Sequence, residues 1–133
     1  MNTMMIDVNN VSFSYGRKKS KVLDGFSMQL EKGAVYGLLG KNGTGKSTLL
    51  YLMAGLLRPQ TGKVLYKGAE VTKRYPNILQ DMFLVPEEFA LPNVSLKQYV
   101  KLNAPFYPNF SDELLRNCLR DFDMNEDIHL GEL

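Results

Sequence analysis

The sequence predicts an α/β domain that opens with an antiparallel β portion and passes into helices. Three observations carry that expectation. Two partly alternating apolar segments precede residue 31; a glycine loop, GKNGTGKST at residues 40–48, lies between a continuous apolar run and a helical stripe; and helix-capping patterns gather after residue 91. The expected division is 1–90 for the β portion and loop-bearing core, and 91–133 for the start of a helical section.

Each element has its own signal. Met5 to Tyr15 and Val22 to Leu30 read as two antiparallel strands, joined through a solvated basic turn holding Arg17, Lys18, Lys19 and Lys21. After the turn Glu31-Lys32-Gly33, the run Ala34-Val35-Tyr36-Gly37-Leu38-Leu39 is apolar throughout, as expected of a strand buried on both faces. Beyond the loop, Leu49, Leu50, Leu52, Met53, Leu56 and Leu57 form one stripe of a helix expected to stop by Arg58-Pro59. Lys63 to Tyr66 reads as a strand, Lys67-Gly68 as a turn, and Met82 to Val85 as a further buried strand ending at Pro86. Ser95 with Gln98 has capping-box spacing, and Ser111 followed by Asp112 and Glu113 caps a helix whose stripe is Leu114, Leu115, Cys118, Leu119 and Phe122.

Composition narrows the class. With 44% hydrophobic and 23% charged residues the chain is that of an ordinary globular domain, and a net charge of +2 from 16 basic and 14 acidic residues is too balanced for a nucleic-acid footprint. Nucleic acid is therefore not an expected partner. One cysteine, Cys118, excludes an intramolecular disulfide and fits a reducing compartment. No run approaches the length of a spanning helix, and the N-terminus lacks the basic and apolar regions of a signal peptide, so a cytoplasmic setting is expected and any membrane association would go through a partner.

The glycine loop carries the chemistry. A phosphate chain needs many donors at close range, and backbone N–H groups supply them without the entropy cost of fixing long side chains. Glycines let successive amides curl inward, and the helix that follows adds its free N–H groups and the positive end of its dipole. Gly40, Gly43 and Gly45 serve that geometry, with Asn42 and Thr44 between them and Thr48 opening the helix. In the pattern Gly-x4-Gly-Lys-Ser, Lys46 meets the terminal phosphates and the Ser47 hydroxyl ligates Mg²⁺. The loop is thus expected to hold a nucleoside triphosphate with Mg²⁺, in the manner of the P-loop nucleotide-hydrolysing fold.

With this loop in place the whole chain resembles the ATP-binding cassette (ABC) family, the nucleotide-hydrolysing subunits of ABC transporters. The resemblance implies an aromatic residue near the end of the first strand that stacks on adenine, and FSYG supplies Tyr15, 25 positions before Gly40. The other reading of Tyr15 is a half-buried strand residue beside Phe13. FLVPEE is similar to the family segment that closes in Pro-Gln, whose glutamine contacts Mg²⁺ and the attacking water. Here that position is Glu87, a carboxylate that accepts from water or reaches Mg²⁺ but donates nothing; the alternative is a surface acid. Lys46 and Glu87 are the residues to which the resemblance assigns catalytic roles.

The resemblance also implies what residues 1–133 omit: an apolar strand ending in Asp-Glu, the Leu-Ser-Gly-Gly-Gln motif and a later switch histidine, which His129 is not. HLGEL looks like the approach to that motif, so the chain is expected to be the N-terminal part of one nucleotide-binding domain. Further implied are ATP and Mg²⁺ as cofactors, a membrane-spanning transporter subunit, a second nucleotide-binding domain forming a dimer, and a peripheral place at the inner face of the cell membrane. Two alternatives stay open: an ABC ATPase outside transport, and a nucleotide-binding module without catalytic activity.

Overall fold

In the computed structural model, residues 4–17, 20–41, 45–88 and 90–133 are described, and the chain divides into two compact units, Met1–Leu84 and Val85–Leu133. The first unit is built on four antiparallel strands, β1 (Met4–Phe13), β2 (Leu23–Glu31), β3 (Thr61–Tyr66) and β4 (Ala69–Glu70), in the order β2-β1-β3-β4. The register places Val8 opposite Met28 on one side and Val64 on the other. Lys67 and Gly68 both have positive φ, 48° and 84°, the two-residue hairpin turn whose twist matches its strands, and β4 follows directly.

One face of this sheet packs against helix α1 (Lys46–Met53). Val8, Val11, Phe13, Leu23, Val64 and Tyr66 from the strands meet Leu49 and Leu52 from the helix, with Val71 and Ile78 closing the cluster. Ile78 comes from the one-turn helix α2 (Pro76–Leu79), which proline opens at the position where its missing N–H costs nothing. The buried hydroxyl of Ser12 accepts from the Gly25 backbone at 2.9 Å, so the core's polar atom is satisfied.

Three expectations need correction. Helix α1 ends at Met53, four residues earlier than the apolar stripe suggests. Gly55 takes φ 74°, its N–H donates to Leu52 and the Leu56 N–H to Tyr51, and this reciprocal glycine cap stops the helix before Leu56 and Leu57. The Arg74 guanidinium adds donors to the carbonyls of Ala54 and Gly55 at 3.3 and 3.1 Å. Ala34–Leu39 is not a strand: Val35 is 101% and Leu39 95% exposed. Met82–Val85 is likewise outside any strand, with Phe83 and Val85 exposed. A strand buried on both faces requires hydrogen-bonded neighbours along its edges, and among the described residues neither run belongs to the sheet β2-β1-β3-β4.

The second unit is helical, as its caps announce. Helix α3 (Leu96–Asn103) begins at Ser95, whose hydroxyl accepts from the Gln98 backbone N–H at 3.2 Å while the Gln98 side-chain Oε1 accepts from the Ser95 N–H at 3.0 Å. Helix α4 (Asp112–Asp121) begins at Ser111, whose hydroxyl accepts from Leu114, with Asp112 and Glu113 at the positive end of the dipole. Ser95 forms a β-bridge with His129, and Leu96 and Lys97 donate to the carbonyls of Ile128 and Glu126, both at 2.9 Å. His129 precedes the short turn Leu130–Glu132 as its cap residue. Among the described residues no helix is long and apolar enough to cross a membrane.

Candidate nucleotide site

The glycine loop delivers α1. Gly45 stands at the N-cap with φ 95°, a conformation open to glycine, and a Cβ there would meet Val22 Cγ1 at 2.8 Å. The close approach to Val22 is what seats the start of the helix on the sheet. The first intrahelical bond runs from the Leu49 N–H to the Gly45 carbonyl at 2.9 Å, which leaves the N–H groups of Lys46, Ser47 and Thr48 without a helical acceptor. The helix therefore opens two residues earlier than Thr48, and all three residues of the Lys-Ser-Thr triplet lie in its first turn. Ser47 is exposed, and the Lys46 ammonium reaches back across the loop to the Gly40 carbonyl oxygen.

Tyr15 meets this turn from the sheet. It lies two residues past the end of β1, is 56% exposed, and places its ring edge-on to Phe13 at 4.9 Å between centroids. Its hydroxyl is 2.6 Å from the buried Thr48 hydroxyl, where either oxygen can donate. Five sequence-derived site residues thus belong to the first unit beside or within the first turn of α1: Tyr15, Gly45, Lys46, Ser47 and Thr48, with Gly40 joined through Lys46. Asn42, Gly43 and Thr44 lie outside the described residues. Glu87 belongs to the second unit and is exposed. Among the described residues no three His, Cys, Asp or Glu side chains gather as a metal site.

Gln60 was not singled out from the sequence. Its backbone N–H donates to Ser12 at 2.9 Å, and its side-chain amide makes two further bonds to the backbone of Ser14, both at 2.8 Å, next to Tyr15. A lone glutamine after a proline has no pattern by which the sequence could announce this.

The chain is similar to known proteins over nearly all its length. It is 37% identical over 103 residues to the ABC transporter ATP-binding protein YybJ of Bacillus subtilis, covering 73% of this chain and 46% of that one. It is 30% identical over 124 residues to the ABC transporter ATP-binding protein YtrB of the same organism, covering 88% and 42%. The chain thus spans less than half the length of these relatives. A solved structure of an ABC transporter ATP-binding protein from Pyrococcus furiosus superposes with a TM-score of 0.77 at 30% identity, over 96% of this chain and 62% of that one. The fold is accordingly that of an ABC-type P-loop domain in its N-terminal part. The family model described as ABC transporter matches residues 23–129, from β2 through the loop and both units, and the chain belongs to the ABC transporter family.

Proposed function

We propose that residues 1–133 form the ATP-binding part of an ABC transporter subunit, which with Mg²⁺ holds the triphosphate at the first turn of α1 and the adenine against Tyr15. The observation that carries the reading is that turn: Gly45 in its left-handed conformation, three N–H groups free of helical acceptors, and Lys46 and Ser47 in sequence behind them. Such a turn favours an anion through both its donors and its dipole. Tyr15, tied to Thr48 by its hydroxyl, supports an adenine subsite beside the first turn of α1.

In this reading Asn42, Gly43 and Thr44 complete the cradle with Gly40, Ser47 ligates Mg²⁺, and Glu87 orients the water or reaches the metal. Bound Mg²⁺ would offset the charge of the terminal phosphates and polarise them. The whole protein works as an ATPase at the inner face of the cell membrane, coupled to a membrane-spanning subunit and paired with a second nucleotide-binding domain. The relatives' description as ABC transporter ATP-binding proteins supports that role. Residues 1–133 contain no apolar run ending in Asp-Glu, so this stretch by itself binds MgATP without turning it over.

Lys46→Ala tests the reading. Lys46 is a point charge facing a polyanion, and alanine is a good helix former, so the expected outcome is loss of binding to a fluorescent ATP analogue with the circular dichroism unchanged. Unchanged affinity would overturn the phosphate-loop assignment.

A further inference from the structure

Tyr15 sits beyond the last residue of β1, where a half-exposed ring on a chain end would lose rotational freedom on meeting a base. The sheet does not hold it there by its ordinary ladder. The β1–β3 register ends at Ser12 opposite Thr61, with the Gln60 N–H donating to the Ser12 carbonyl at 2.9 Å. The next residue outward on that side is Pro59, which has no N–H and cannot continue the pairing.

The Gln60 side chain takes over the role of the missing strand residue. Its Oε1 accepts from the Ser14 N–H at 2.8 Å and its Nε2 donates to the Ser14 carbonyl at 2.8 Å, the reciprocal exchange that two opposed residues of an antiparallel pair make through their backbones. The Ser14 hydroxyl donates to the Gly16 carbonyl at 3.2 Å, closing the same segment from the other side of Tyr15. We propose that Gln60 is a positioning residue for adenine recognition: its amide extends the sheet by one residue and so fixes the Tyr15 ring over the first turn of α1. The chemistry is specific to this side chain. Glutamate accepts from Ser14 but sets a carboxylate oxygen against the Ser14 carbonyl, and asparagine is one methylene short.

This inference rests on Tyr15 being the adenine contact, and two measurements on the full chain separate its failure from that of the reading beneath it. The first compares affinity for MgATP and for magnesium tripolyphosphate, which has no base. Gln60→Ala is expected to weaken MgATP roughly five- to tenfold while leaving tripolyphosphate unchanged, and Gln60→Glu to match it. Equal weakening of both ligands would overturn the proposal, because Gln60 would then support the fold as a whole, and so would a Glu variant that behaves as Gln does. Tyr15→Ala serves as the reference: if it leaves the ratio of the two affinities untouched, the adenine reading fails.

The second measurement needs no nucleotide. The chain has no tryptophan, so Tyr15→Trp supplies a single indole, excited selectively over the tyrosines, at the position in question. Adding Gln60→Ala to it is expected to lower the steady-state anisotropy and raise acrylamide quenching with the circular dichroism unchanged. An indole equally immobile with and without Gln60 would overturn the positioning role even where the adenine reading stands.

Discussion

Strand β1 and the run Ala34–Leu39 make an instructive pair. By composition the second is the better strand: it is apolar throughout, whereas β1 contains Asp7, Asn9 and Asn10. Yet β1 is paired along both edges and buries Val8 and Val11, while every residue from 34 to 39 is exposed and outside regular structure. Apolarity marks what a segment gains from burial, and pairing decides whether it can be buried at all, because an unpaired strand would carry its N–H and C=O groups into the core unsatisfied. Met82–Val85 repeats the case in part: it too lies outside any strand with Phe83 and Val85 exposed, while Met82 packs against the core. Both runs keep the sequence of strands that need neighbours on two edges, and such exposed apolar segments favour self-association.

The sharpest test substitutes one leucine in each setting. Leu52 is fully buried between α1 and the sheet, and Leu52→Ala should cost about 2–5 kcal/mol in urea unfolding. Leu39→Ala should change the same unfolding free energy by less than about 0.5 kcal/mol. Similar costs at the two positions would mean that the run is packed in solution.

Two glycines sharpen the contrast at the level of the backbone. At Gly62, where φ is 77°, a Cβ would meet the carbonyl oxygens of Asn10 and Asn9 at 2.2 and 2.4 Å, beside the β1–β3 register shift. Gly62→Ala should therefore destabilise by about 1–3 kcal/mol or more, since the opposing atoms are backbone and cannot rotate away. At Gly37 nothing lies within 4 Å and φ is outside the left-handed range, so Gly37→Ala should be neutral or slightly stabilising. Thermal melts of the two variants give the answer directly.

The smallest effect concerns Tyr66, at the last residue of β3. Its hydroxyl donates to the Asp81 carboxylate at 2.9 Å, and burial, then that hydrogen bond and the negative charge, hold the phenol above its ordinary range. A raised folded-state value means that the native state keeps this proton more tightly than the unfolded chain does. The contribution is therefore complete below pH about 10 and is lost as pH rises through the folded value. Tyr66→Phe should cost about 0.5–1.5 kcal/mol at neutral pH and flatten the alkaline end of the stability profile. A variant with the same alkaline fall as the native chain would assign that fall to another group.

These comparisons also mark how far the sequence could be read. The capping serines, Ser95 and Ser111, were legible because the cap, the third residue and the acids beside it are local and their partners lie within one turn. The first two strands were legible because they pair with each other. The first turn of α1 was legible because Gly-Lys-Ser-Thr states its chemistry in four adjacent residues. What escaped depends on distant parts of the chain: the two apolar runs outside the sheet, the end of α1 at Gly55 with Arg74 folded over it, and the amide of Gln60 reaching Ser14. Tyr15 was legible as a ring, while its hydroxyl bond to Thr48 required the fold.

The strand order β2-β1-β3-β4 has a kinetic consequence. The β1–β2 hairpin closes over a short connection, whereas pairing β3 with β1 must close the whole excursion from residue 14 to residue 60, which contains the phosphate loop and α1. Loop closure grows costlier with length, so the hairpin is expected to form early and β3 to dock late. On an elongating ribosomal product, β2 and the loop emerge before β3, and α1 has only the β1–β2 hairpin to pack upon until β3 docks with Val64 and Tyr66. Ligand capture should therefore trail hairpin formation in refolding, a lag that stopped-flow binding of a fluorescent ATP analogue can time against the far-ultraviolet signal of the strands.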